Sequence, residues 1–166
     1  MLTRYCPACW AENHGSDAYC KDCGAALAPP AGESYIEMLS WALEHPRSEV
    51  RLRAVSFLGR LGTRATPALP QLFEVFRRTE DVYLRAEIAR ALGEIGGEEA
   101  YRLLLLMAED PSVIVRLAAI KTLAGCHHRL PPGLRAVVAT VLRQLSVSDP
   151  SPSVRELAQH VAAKQI

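Results

Sequence analysis

The chain has 166 residues, 49% of them hydrophobic and 22% charged, a globular composition that excludes a disordered chain and leaves room for one ordinary domain plus an accessory module. A formal charge of +1 excludes strong global attraction to nucleic acid or to an anionic membrane, so any such binding needs a local patch. No N-terminal apolar run resembles a signal peptide, and the longest apolar stretch, Leu103 to Ala108, is too short to span a bilayer, which points to the cytoplasm and to no membrane partner. Aromatic residues make up only 6%, while Leu, Ala, Val and Arg dominate, which favours helices packed through aliphatic contacts.

Four of the five cysteines fall into two pairs, Cys6-Pro-Ala-Cys9 and Cys20-Lys-Asp-Cys23-Gly24, separated by ten residues. In a reducing compartment this spacing speaks for metal rather than disulfides. Two such tips can supply four thiolates at tetrahedral angles, the closed geometry of one structural Zn²⁺ per chain with no open position for water or substrate. The alternative is four unligated or redox-active thiols, but a piece this short cannot build a core without a staple. Gly24 permits the turn that aims amides at sulfur, and the segment from Trp10 to Tyr19 is long enough for a strand, a turn near Asn13-His14-Gly15 and a return strand. His14 could stand in for a cysteine, although its place in the expected turn suits a solvated side chain better.

Residues 1–24 resemble the zinc-ribbon family, with its pattern Cys-Pro-x-Cys-Gly followed by Cys-x-x-Cys-Gly. The match includes all four ligands, and Trp10 stands where that family usually has glycine, implying a less regular first knuckle. Residues 1–33 carry Arg4 and Lys21 against Glu12, Asp17, Asp22 and Glu33, the wrong sign for phosphate contacts. A protein-contact or capping role fits better, with a ribbon that covers the apolar side of the first repeat and a tethered ribbon free to bind a second partner as the two arrangements.

Residues 25–33, Ala-Ala-Leu-Ala-Pro-Pro-Ala-Gly-Glu, have the small-residue and proline content of a linker. From residue 34 onward the apolar residues take a helical period, and the punctuation divides them into eight helices. The first pair spans Tyr35 to Glu44 and Glu49 to Leu61, broken at His45-Pro46. In the second pair, Thr66 caps a helix with Pro67 in its first turn, reaching Arg78, and its partner starts after Asp81 and ends at Gly96-Gly97. The third runs from Glu98 to Glu109 and from Ser112 to about Leu123, the fourth from about Pro132 to Leu145 and from about Ser151 to the end. Gly62, Gly96 and Gly125 are read as helix ends.

The second helices share one pattern, starting at Val50-Arg51, Leu84-Arg85, Val115-Arg116 and Val154-Arg155, at intervals of 34, 31 and 39 residues. A recurrence of that length marks supersecondary units that bury their faces on one another, here about 34–63, 64–97, 98–129 and 130–166. Five and four positions before each start stand His45-Pro46, Thr79-Glu80, Asp110-Pro111 and Asp149-Pro150, and proline there breaks one helix so that the next turns back. This resembles the HEAT family, especially its short bacterial form first noted in phycobilin lyases, with the signature Asp-Pro-x-x-x-Val-Arg-x-x-Ala-x-x-Ala-Leu-Gly. The resemblance implies an all-α, right-handed solenoid of four antiparallel helix pairs whose second helices line a concave face. It also implies that Arg51, Arg85, Arg116 and Arg155 brace the inter-helix turns by bonding acidic groups and carbonyls, a reading that outranks an anion-binding ladder.

Counting the Val of Val-Arg as one, position seven holds Ser56, Arg90, Lys121 and His160, and position eleven holds Arg60, Glu94, Gly125 and Lys164. With Arg53 these side chains form a modest basic stripe, interrupted by Glu87 and Glu94. The candidate partner face is therefore Arg53, Arg60, Arg90, Lys121, His160 and Lys164, suited to an acidic protein, with a mixed solvated face as the alternative. Neither column holds an aromatic residue for base stacking, so nucleic acid ranks below protein. Cys126-His127-His128 is a poor metal cluster, since adjacent histidines cannot easily converge on one ion. The absence of any His-Glu dipeptide argues against an iron hydroxylase, and no phosphate loop, nucleophile elbow or paired catalytic acids can be recognised. The expected function is a non-catalytic scaffold or adaptor, with a nucleic-acid binder or a bilin-lyase accessory factor as alternatives. Ile166 leaves an apolar end that makes self-association plausible.

Overall fold

A computed structural model of the chain describes residues 3–6, 8, 9, 11–14, 17–25, 27 and 35–165. The expected irregularity at Trp10, the turn at Gly15, most of the linker and the apolar end at Ile166 lie outside the described residues.

Two short strands come first, β1 (Thr3–Tyr5) and β2 (Glu12–His14), paired antiparallel with Thr3 opposite His14 and Tyr5 opposite Glu12. This corrects the expectation of a hairpin within residues 10–19. The first Cys-x-x-Cys tip itself lies between the strands, so the knuckle serves as the hairpin's turn and Asn13 and His14 belong to a strand.

Eight α-helices follow among the described residues: α1 (Tyr35–Ala42), α2 (Ser48–Arg60), α3 (Leu69–Arg78), α4 (Val82–Ile95), α5 (Glu98–Met107), α6 (Val113–Cys126), α7 (Pro132–Ser148) and α8 (Pro152–Gln165). They build the α-solenoid that the repeat period anticipates. In α4 the buried set Leu84, Ile88, Ala91, Leu92 and Ile95 recurs at steps of three and four, the helical apolar face. Asp81 caps this helix by accepting from the amides of Tyr83 and Leu84. Gly96 and Gly97, at φ 71° and 89°, make the sharp link to α5 that other residues would resist.

Two local readings fail. Thr66 caps nothing: its hydroxyl donates to the Thr63 carbonyl at 2.7 Å, and a 3₁₀ segment, Gly62–Ala68, containing Pro67 precedes α3. A second proline, Pro70, fills the first turn of α3, and the helix starts two residues later than expected. Gly125 is no terminator either, since α6 continues through Cys126 and Gly125 is not among the glycines with positive φ.

Other glycines of the repeat have a different task. The second helices pack in series, α2 on α4, α4 on α6 and α6 on α8. Gly59 faces Ala91 across the first of these joints, where an added Cβ would lie 3.0 Å from the Ala91 Cα. Gly93 faces Thr122 even more closely, and a Cβ there would also lie 3.2 Å from the Cys126 sulfur. The Leu-Gly step thus lets neighbouring helices approach through bare backbone. One continuous core results, including Leu43, Leu58, Leu72, Ile88, Leu104, Ile120 and Val154, while Cys6, Cys20 and Leu27 form a separate small core in the N-terminal module.

Each pair turns at the same kind of joint. A side chain accepts from the amide two residues ahead: Asp110 from Ser112 at 2.8 Å, Asp149 from Ser151 at 2.8 Å, Thr79 from Asp81 at 3.2 Å and His45 from Arg47 at 3.0 Å. Burial holds the His45 pKa below its ordinary value, which keeps the ring neutral and Nδ1 able to accept.

Candidate functional site

The four cysteines of the N-terminal module converge, with all their sulfurs within 4.8 Å of one another. The Cys6 and Cys23 sulfurs are 3.5 Å apart, as are those of Cys9 and Cys20, and no disulfide joins them. A tetrahedron with metal–sulfur arms of about 2.3 Å has edges of about 3.8 Å, so the cluster has the size of a four-thiolate centre. The two tips fold alike: the Cys6 amide donates to the Ala11 carbonyl at 3.0 Å and the Cys20 amide to the Ala25 carbonyl at 2.8 Å. The first tip thus closes like the second, where Gly24 supplies a φ of 74°.

Amides aim at the buried sulfurs. Ala8 donates to Cys6 and Asp22 to Cys20, both at 3.4 Å. Asn13, which sequence reasoning passed over, is buried and ties the module together: its side-chain amide donates to the Ala11 carbonyl and the Cys20 sulfur, and its carbonyl accepts from the Lys21 amide. No spacing rule points to it, because its role depends on the pairing of β1 with β2.

Burial opposes ionisation of Cys20, but the Cys23 and Asp22 amides outweigh it and draw its pKa to about 6, with Cys6 lowered by the same kind of donor. For Cys9 the Ala11 amide favours the thiolate, yet the contact with Cys23, burial and the contact with Cys20 push the pKa up to about 12. Four thiolates at this range repel, and a cation in their midst is what makes full deprotonation favourable. These residues fit a metal ion. His14 is exposed and outside the cluster, and Cys126-His127-His128 forms no such group among the described residues. Cys126 is instead buried, donating to the Gly93 carbonyl at 3.4 Å and accepting from Arg129 at 3.1 Å.

The six side chains of the candidate partner face are all exposed, Arg53 and Arg60 on α2, Arg90 on α4, Lys121 on α6, His160 and Lys164 on α8. They occupy positions four, seven and eleven of helices that stack in series. Glu87 partly neutralises Arg90 by accepting from its Nε at 2.8 Å. Phe57, one position beyond the column read from sequence, is 40% exposed, and the Arg60 guanidinium lies 5.7 Å from its ring centroid. The other repeats place Ala91, Thr122 and Val161 at this position, and that contrast was the available signal.

Three of the four arginines expected to brace the turns, Arg85, Arg116 and Arg155, do so, whereas the Arg51 Nε is buried without a hydrogen-bond partner among the described residues. Arg116 is buried and grips Asp149 with Nε and Nη2 at 2.8 and 2.9 Å, while its Nη1 donates to the carbonyls of Asp110 and Pro111. Arg85 pairs with Asp110 and stacks on Phe76, its guanidinium 4.6 Å from the ring centroid. Arg155 donates to the carbonyls of Asp149 and Pro150 at 2.6 and 3.2 Å. Burial disfavours the Asp149 anion, but Arg116, the Ser151 amide and Arg155 outweigh it and hold that carboxyl below the usual range.

No helix among the described residues is long and apolar enough to cross a membrane. A family model described as HEAT repeats matches residues 36–124 and again residues 69–163. No curated protein matches the chain.

Proposed function

The chain belongs to the HEAT-repeat family, and from that premise we propose a non-catalytic adaptor in the cytoplasm that binds an acidic protein surface along its second helices. HEAT repeats commonly serve as protein-interaction scaffolds, and rigid repeats limit the ordering cost of association. The observation that carries the reading is the set Arg53, Arg60, Arg90, Lys121, His160 and Lys164, exposed on four consecutively stacked helices. Retention on immobilised polyglutamate that falls with salt tests it. Arg53→Glu with Lys121→Glu should abolish retention, and unchanged retention would remove the face from the account. Phe57 beside Arg60 offers a base one stacking surface, so a single-stranded DNA column run in parallel separates the nucleic-acid alternative.

The four cysteines are assigned one structural Zn²⁺. Thiolate softness, the closed four-sulfur set and the amides aimed at sulfur support it. A bound ion would cross-link the two tips and supply the stability that a core of Cys6, Cys20 and Leu27 cannot. Native mass spectrometry of protein purified without added metal should give one Zn²⁺ per chain. A metal-free chain with a Cys-x-x-Cys disulfide would overturn the assignment.

A further inference from the structure

The bracing ladder has an incomplete step. Arg85 reaches forward to Asp110 and Arg116 to Asp149, each time a carboxylate five residues before the next Val-Arg dipeptide or its counterpart. Arg51 faces the equivalent position of the second repeat, and there the residue is Thr79, whose side chain carries no charge. The Arg51 Nε is buried without a hydrogen-bond partner among the described residues. Arg85 shares that feature at Nε, but its Nη2 holds Asp110. Where the carboxylate is missing, a solvent-connected pocket of about 180 Å³ opens, lined by Leu43, Glu44, Arg51, Arg78, Thr79 and Leu84 among others.

Neighbouring acids leave the place unfilled. Asp81 feels the charge of Arg51, but one of its oxygens takes the Ser48 hydroxyl at 2.6 Å and the other caps α4. Glu44 pairs loosely with Arg78 at 3.6 Å near the surface, where both side chains are largely solvated. Thr79 accepts from the Asp81 amide and keeps its hydroxyl proton to give.

We propose that this pocket binds a carboxylate, which takes the place that Asp110 and Asp149 occupy at the later steps. Arg51 supplies its guanidinium with the buried Nε donor, Arg78 a second cation at the mouth and Thr79 a hydroxyl. The carboxylate comes from a free organic acid or from an acidic side chain of a peptide. Binding tightens the joint between the first and second repeats, because the occupant bridges α2 to the turn before α4 as the built-in aspartates do elsewhere. The site is separate from the exposed cations on the second helices, so the polyglutamate test with Arg53 and Lys121 reads a different surface.

Thermal unfolding of the full chain tests the proposal, with acetate, N-acetylglutamate N-methylamide or chloride added at matched ionic strength and pH. Either carboxylate should raise the melting temperature over chloride, increasingly with the logarithm of its concentration, by about 2–4 °C at the concentration that shifts the folding equilibrium about fivefold. Response to both compounds means that the pocket takes free acids, and response to the blocked glutamate alone assigns it to peptide side chains. Thr79→Asp, which supplies the missing carboxylate, should raise the melting temperature in chloride and erase the response to either compound. The Arg51 Nε–H resonance, assigned by its loss in Arg51→Lys, should move on titration. No carboxylate response in the native chain, or an equal response in Thr79→Asp, would overturn the proposal.

Discussion

The two parts of the molecule solve the stability problem in opposite ways. The helical array buries a continuous aliphatic core and locks its joints with arginines and aspartates. The N-terminal module has Cys6, Cys20 and Leu27 as its buried apolar set and otherwise relies on four converging sulfurs and on Asn13. The two cores do not merge, and an ion pair between Glu12 and Arg47 links them at 2.6 Å with both side chains more than half exposed. What differs is the source of cooperativity: distributed packing in one part, a single cluster in the other. Damage should therefore spread in the array and stay local in the module.

The sharpest break is Cys20→Ser. It should abolish stoichiometric metal binding and unfold the module, seen as loss of its amide protection in hydrogen exchange. The melting temperature of the array should stay unchanged, and a lowered one would mean that the module caps the first repeat. Asp149→Asn comes next. Removing one partner of a buried ion pair costs about 3 kcal/mol, measured by urea unfolding at neutral pH. The native carboxyl titrates below its unfolded value, so its stabilisation is present above the unfolded pKa of about 4 and is lost as pH falls through the native one. As pH falls below about 4, stability should therefore drop more steeply in the native chain than in the variant.

A smaller effect is expected where helices touch through bare backbone. Gly93→Ala should destabilise the array by about 1–3 kcal/mol despite the higher helix propensity of alanine, because the methyl group meets Thr122. A stabilised variant would show that α4 and α6 can separate freely. The smallest belongs to the link between the parts: Glu12→Ala should change array stability by less than about 1 kcal/mol, as exposed ion pairs do.

Much of this was legible in the chain. The spacing of the Val-Arg dipeptides located all four second helices, and the two Cys-x-x-Cys pairs named the residues that converge. Misreadings arose where one local rule met a neighbour. Thr66-Pro67 has the form of a helix start, but Pro70 lies three residues on and delays it. Gly125 resembles Gly96 as a terminator, yet α6 runs past it while α4 ends at its glycine.

Helix positions, repeat period and the set of converging cysteines follow from residues close in sequence, because helical periodicity, capping and tip geometry act over a few positions. Tertiary structure decided the rest, since it places residues from different repeats side by side. Gly59 and Gly93 gain their meaning only against Ala91 and Thr122. Asn13 matters only once β2 lies beside the second cysteine tip. Thr79 is an ordinary turn residue in the chain, and only the stacking of α2 against the turn before α4 makes it the place where Arg51 lacks a carboxylate.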